Sequence, residues 1–290
     1  MGASPGGGHA VDSSPVTTIG FVGAGQIGEA MVERLLTAGY RVRVYARRAE
    51  VRDRLSGAGA ELVDRAGDIA AVDVVVSCLF SDAQVLDVLP EVVAAMRGDT
   101  VLLSHTTGTP ETLRRLDEFA SAGRVAVVDG AFSGTAEAVR AGRLSVYLGG
   151  ESEHIAIARP VVGAYADTVI ETGGRGSALL VKLLNNLLFA AIGQVTLRGL
   201  EAGRALGVQD GALLEALAVS SGGSTAGRYI AARGGPERYA AAVTPFLRKD
   251  LAACRDVAAE VGVDLSALLA AAYDGPMSLG DLAALENGTV

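Results

Sequence analysis

A short apolar run that ends in glycines and opens directly onto an amphipathic helix limits the fold of this chain more than any other feature. TIGFVGAG is followed by QIGEAMVERLLTAG, with apolar residues at Ile27, Met31, Leu35 and Leu36 in helical spacing before Gly39 stops the helix. RVRVYA then alternates as a strand. The three pieces make one βαβ unit, and Gly23-Ala24-Gly25-Gln26-Ile27-Gly28 reads GxGxxG at its first turn. With 38 glycines in the chain, a lone match would mean little. In this context it predicts a dinucleotide site: Gly23 for the tight turn, Gly25 for close approach to a pyrophosphate, Gly28 for helix–strand packing. Gln26 and Ile27 stand at the helix start, where free N–H groups meet the anion.

The end of the second strand discriminates between nicotinamide cofactors. An acid there accepts from the ribose 2′-OH of NAD, whereas guanidinium groups suit a 2′-phosphate. This sequence has Val44-Tyr45-Ala46-Arg47-Arg48. Arg47 and Arg48 therefore predict NADP(H) in preference to NAD(H); the alternative is that they belong to a solvated turn.

Further along, VDVVVSCLF, DTVLLSH, RVAVVDGAF, LSVYLGG and TVIETGG read as strands, several of them fully buried, with helical stretches between most of them. That alternation predicts a parallel, doubly wound Rossmann-type α/β sheet with helices on both faces. After about Gly176 the strands give way to Ala- and Leu-rich helices, beginning with a continuous stretch from Ser177 to Leu206, about 45 Å long at helical rise. The expected organisation is a tail over 1–16, a cofactor-binding domain over 17–175 and an all-α substrate and oligomerisation domain over 176–290, joined by that long helix.

Half the chain is apolar and the formal net charge is -8, which supports a folded core and disfavours nucleic-acid and anionic membrane partners. The opening MGASPGGGHAVDSSPV has no apolar core of a secretory signal. Leu179 to Ile192, interrupted by Lys182, Asn185 and Asn186, is not expected to span a membrane. Cys78 and Cys254 lack CxxC spacing, and His9, His105 and His154 form no metal-binding pair. These features predict a soluble cytoplasmic protein without a metal.

Lys182 and Asn186 are four residues apart on one helix face, amid Leu179, Leu180, Val181, Leu183, Leu184, Leu187, Leu188 and Phe189. A lysine in such a helix must be paired, snorkel to water or do chemistry. The structural alternative is a snorkelling lysine, with Asn185 and Asn186 capping nearby backbone.

At these residues the chain resembles the β-hydroxyacid dehydrogenase family, which contains 3-hydroxyisobutyrate dehydrogenase, tartronate semialdehyde reductase and the short 6-phosphogluconate-dehydrogenase-like reductases. GFVGAGQIGEAM resembles its GxGxMG opening. Cys78-Leu79-Phe80 resembles its Met-Leu-Pro turn, Thr106 to Pro110 its STxSP segment, and Asp129 to Thr135 its DAPVSGG loop. Gly176 to Lys182 with Asn185-Asn186 resembles GxGxxxKxxNN, Phe246 with Lys249-Asp250-Leu251 the late KD motif, and Gly280-Asp281 the closing GD. The resemblance implies hydride transfer between nicotinamide and a small β-hydroxy acid or its semialdehyde or keto form. Lys182 would be general acid in reduction and general base in oxidation, and Asn186 would orient the substrate or the lysine. Ser133, Gly134, Thr135 and Asn185 would bind the substrate; Leu79, Phe80, Thr107 and Lys249 would line the cofactor.

The sequence departs from the family at Ala131, Phe132 and Thr135 in the substrate loop and at Ser104-His105-Thr106 before Thr107. His105, at the carboxyl edge of a strand, is expected to be a hydrogen-bonded loop residue, with a titrating role in proton transfer as the alternative. Two competing functions are an NADPH-dependent imine reductase, which the reshaped loop favours and Lys182 disfavours, and a non-catalytic NADPH-binding protein. Related enzymes associate through the helical half, implying a homodimer or homotetramer.

Overall fold

The structure, a computed structural model, describes residues 18–120, 123 and 125–280. The opening tail and Asp281 lie outside them. Strands β1 (Thr18–Val22), β2 (Arg41–Tyr45), β3 (Glu61–Val63), β4 (Val74–Ser77), β5 (Val101–Ser104) and β6 (Ala126–Asp129) run parallel in the order β3-β2-β1-β4-β5-β6. The apolar runs cover both faces at once. Val74 and Val76 point into one core and Val75 into the other, and Val101, Leu102 and Leu103 divide in the same way. Helices α1 (Gln26–Thr37) and α2 (Ala49–Gly57) fill the first face with Met31, Leu35, Val51 and Leu55. Helix α3 (Asp82–Ala95) fills the second with Val85, Leu89 and Val92.

The sheet departs from the all-parallel expectation at its far edge. After β6 the chain forms β7 (Phe132–Ser133) and α5 (Ala136–Arg140), then doubles back as β8 (Leu144–Gly149), antiparallel to both β6 and β7. Only residues 134–143 join β7 to β8, too few for the crossover of a dozen or more residues that a parallel neighbour of β7 needs. Helix α6 (Ser152–Val162) restores that crossover, and β9 (Ala166–Gly173) runs parallel to β8. The predicted RVAVVDGAF strand is thus two strands broken at Gly130-Ala131.

Helix α7 (Ser177–Ala205) follows, 29 residues long and close to the stretch read from sequence. Its first turn, Ala178 and Leu179, packs under the sheet, whereas Leu183, Leu187, Ala190 and Leu197 belong to a separate core with α8 (Asp210–Ala218), α9 (Thr225–Ala232), α10 (Pro236–Glu260) and α11 (Ser266–Tyr273). Thus α7 spans two cores. By length and mean hydropathy (1.6) it could cross a membrane, but half of that window is buried within the protein.

No residue at the start of α7 caps it, since Gly176 occupies the cap position with φ 93°. The cap comes from β6. Asp129 accepts from the Gly176 N–H at 2.6 Å and the Leu179 N–H at 3.1 Å, and its carboxylate is fully buried. Arg175 adds a second tie, with its guanidinium donating to Asp117 at 3.1 Å and to the Leu113 carbonyl. A carboxylate at a helix N-terminus meets unpaired N–H groups and the positive end of the macrodipole.

Candidate active site

The three glycines of the first turn have different physical requirements. Gly23 has φ 91°, and a Cβ there would lie 2.3 Å from the Cys78 carbonyl oxygen. On Gly28 it would lie 2.2 Å from the Gly23 carbonyl oxygen. Both must be glycine to let the protein pack against itself. A Cβ on Gly25 would meet nothing within 4 Å, so packing does not demand a glycine there. What it leaves open is space in a cleft, next to the first turn of α1, which no side chain caps. Open N–H groups at a glycine-walled helix start fit a dinucleotide pyrophosphate.

The cleft has a volume of about 740 Å³ and extends from that turn to the helical half. The switch point of the strand order, between β1 and β4, lies at its floor, where ligands bind in open α/β sheets. At one end Arg47 and Arg48 line it beyond β2, beside Gln84 and Val88 of α3. Arg48 donates to the Ala24 carbonyl at 3.4 Å, and Arg47 is mostly exposed with Asp87 3.8 Å away. At the middle, the Leu79 N–H donates to the Thr106 hydroxyl at 3.1 Å and the Phe80 N–H to Gln84 Oε1 at 3.0 Å, fixing the turn after β4.

At the other end α7 and α10 bring in side chains far apart in sequence. Lys182 and Asn186 line the cleft together with Phe246, Lys249 and Asp250 of α10. Asp250 is buried and accepts from Asn186 Nδ2 at 2.6 Å, and its other oxygen lies 2.9 Å from Lys249 Nζ. Lys249 also donates to the Thr107 carbonyl at 2.7 Å and stands 5.6 Å above the Phe80 ring, which makes a cation–π contact. The Lys182 ammonium makes no hydrogen bond or ion pair within the described residues. Burial lowers its pKa from the ordinary lysine value; the Asp250 carboxylate opposes that shift and the Lys249 charge reinforces it.

The cleft therefore collects every residue assigned to the cofactor from sequence: Gly23, Gly25, Gln26, Ile27, Gly28, Arg47, Arg48, Leu79, Phe80, Thr107 and Lys249, together with Lys182, Asn186 and Gly134. Three others fall outside its lining. Ser133 pairs with Ser145 in the sheet. The Thr135 hydroxyl accepts the Ala138 N–H and caps α5. Asn185 donates to Asn186 Oδ1 at 2.9 Å. The two amides bond side chains, Asn185 to Asn186 and Asn186 to Asp250, rather than capping backbone. Asp250, part of the late KD motif, joins the site as a buried carboxylate that holds Asn186 and Lys249; its one signal in the sequence is an acid next to a lysine in a helical stretch. Within the described residues no cluster of three or more His, Cys, Asp or Glu could hold a metal.

Residues 18–174 match a family profile described as the NAD binding domain of 6-phosphogluconate dehydrogenase, and residues 176–274 one described as NAD-binding of NADP-dependent 3-hydroxyisobutyrate dehydrogenase. A 3-hydroxyisobutyrate dehydrogenase of Pseudomonas aeruginosa is 32% identical over 73% of this chain and 72% of its own. An NAD-dependent L-serine dehydrogenase of the same organism is 30% identical, over 72% and 71%. In fold the chain is similar to Mycobacterium tuberculosis 3-hydroxyisobutyrate dehydrogenase, solved with L-serine (TM-score 0.78, 24% identity, 89% and 92% covered). It is also similar, more distantly, to a Streptomyces aurantiacus imine reductase (TM-score 0.55, 19% identity, 87% and 98% covered).

Proposed function

The chain belongs to the β-hydroxyacid dehydrogenase family of NAD(P)-dependent oxidoreductases, and from that membership we propose that it transfers hydride between NADP(H) and a small β-hydroxy acid or its semialdehyde or keto form. The observation that carries this reading is the unbonded ammonium of Lys182, its pKa pulled down by burial, in the same cleft as the glycine turn. The bound nicotinamide supplies or accepts the hydride. The protein's own residues handle the proton and the geometry.

In reduction, Lys182 gives a proton to the oxygen that becomes the hydroxyl; in oxidation its neutral amine takes that proton back. Its lowered pKa makes both forms accessible nearer neutrality than an ordinary lysine allows. Asp250 holds Asn186 and Lys249 at fixed positions beside it. One Asn186 amide hydrogen remains for the substrate oxygen once the other is given to Asp250. The backbone at Gly134 supports the carboxylate end.

The preference for NADP(H) rests on Arg47 and Arg48 lining the cleft beyond β2, with no acid at that strand end. The exposed Arg47–Asp87 contact is weak and yields easily to a phosphate. We assign the division of labour to a boundary near residue 175. The apolar, exposed stripe Leu180, Val181, Leu184, Leu188, Ile192 and Val195 along α7 supports a homodimer or homotetramer through the helical half. The two free cysteines fit a reducing cytoplasm.

The test is a panel of short hydroxy acids, including 3-hydroxyisobutyrate and L-serine, with NADP+ and NAD+, set against cyclic imines with NADPH. Turnover of acids and not imines supports the reading. Turnover of imines alone supports the imine reductase alternative, which the reshaped Phe132 loop favours. Tight NADPH binding with no turnover of either class would indicate a binding protein.

A further inference from the structure

His105 follows β5 directly and continues the sheet, its N–H donating to the Ser77 carbonyl at 2.7 Å. The side chain is buried but reaches the cleft wall. Nδ1 meets the Gly130 carbonyl in a short hydrogen bond, and Nε2 lies 2.8 Å from the Tyr165 hydroxyl. A carbonyl only accepts, so Nδ1 carries the hydrogen. Burial pushes the imidazole pKa down to about 4, leaving the ring neutral, and Nε2 is then the acceptor. Tyr165, fully buried and held protonated by that burial, is the donor. The order runs Tyr165 O–H to Nε2, then Nδ1–H to Gly130, and both ring nitrogens are used. His105 has none left for a substrate proton.

The contacts converge on one turn. A Cβ on Gly130 would lie 2.9 Å from His105 Nδ1 and 2.8 Å from Leu103 Cδ1, so the backbone rests on the imidazole itself. Phe132, two residues on, meets the same ring edge-on with centroids 6.0 Å apart, and it lines the cleft that holds Lys182. The turn between β6 and β7 is therefore braced from beneath at both of its ends.

We infer that His105 is a positioning residue for the substrate: locked in one tautomer between Tyr165 and Gly130, it sets the height of the 130–134 turn and the angle of the Phe132 ring, and thereby determines which substrates the acid end of the cleft accepts. The inference rests on the reading of that turn as the substrate end.

Two variants separate the two bonds. In His105→Asn the side-chain amide nitrogen falls near the Nδ1 position and keeps the tie to Gly130; in His105→Gln the amide reaches toward Tyr165 and the Gly130 tie is lost. For whichever compound the wild type turns over, His105→Gln should raise KM about tenfold with kcat within about twofold, the loss of one buried hydrogen bond. His105→Asn should stay within about threefold of wild type, and NADPH affinity should hold in both. Hydrogen exchange over 129–135 should speed up in His105→Gln and not in His105→Asn, a readout independent of turnover. Tyr165→Phe, which removes one oxygen, should raise KM about threefold and serves if the histidine variants do not fold. Equal impairment of Asn and Gln variants, a fall in kcat at constant KM, or exchange and KM both unchanged in Tyr165→Phe would overturn the inference. Should the wild type reduce imines instead of acids, the substrate class proposed above fails while the same comparison, run on an imine, still decides the role of His105.

Discussion

The two ends of the cleft are built in opposite ways. The glycine turn is six consecutive residues whose backbone forms the ligand surface, while the Lys182 end gathers side chains from β5–α4, α7 and α10, where α4 is Pro110–Arg115. The first is local and depends on what is missing from its side chains. The second is long-range and depends on what its side chains carry, with Asp250 bonding a residue 64 positions away and Lys249 one 142 positions away. Substitutions should therefore fail differently at the two ends: by steric collision at the turn and by lost charge and proton transfer at the helices.

The largest effect is expected at the helical end. Lys182→Met should lower kcat by about a hundredfold to ten-thousandfold at unchanged NADPH affinity, measured by steady-state kinetics and cofactor fluorescence. The turn offers a finer contrast within itself. Gly28→Ala should reduce both thermal stability and NADPH binding, because its Cβ strikes backbone. Gly25→Ala should keep the melting temperature and lose cofactor affinity alone, by roughly tenfold or more. A Gly25→Ala protein that unfolds would remove the case for a ligand-dictated glycine.

Arg47→Ala with Arg48→Ala should cut kcat/KM for NADPH by about ten- to a hundredfold and leave NADH nearly unchanged, moving the preference without touching the reaction end. The smallest effect is a displacement on the pH axis. With Lys182 as the proposed base, the oxidation rate should rise with pH through a pKa below that of an ordinary lysine. The Asp250 carboxylate favours the ammonium, so Asp250→Asn should lower that pKa further and move the rising limb to lower pH. A limb that moves upward would show that the Asp250 charge does not stabilise the Lys182 ammonium.

The local end was readable from sequence and the long-range end only in part. GxGxxG, the βαβ frame and the arginines are contiguous, and Lys182 with Asn186 betrayed itself as polar spacing within an apolar helix. Asp129 could not be read as the cap of α7, since it lies on another element, 47 residues before Gly176. Strand β3 is three residues with an exposed Glu61, too short to show a pattern. The loop motif around Thr135 assigns it to the substrate, and nothing in the sequence shows that its hydroxyl also caps the helix behind it. Tyr165 carries no motif at all; only the fold brings it to His105.

The bonds from Asp129 to the start of α7 make that end of the helix a pivot. Lys182 lies five residues along, about 8 Å from the pivot at helical rise, and Ala205 about 42 Å. A tilt of about five degrees would carry the distal end through nearly 4 Å and the amine through less than 1 Å. Any displacement of the peripheral helices that tilts the rod about this anchor would therefore reach Lys182 at about one-fifth of its size.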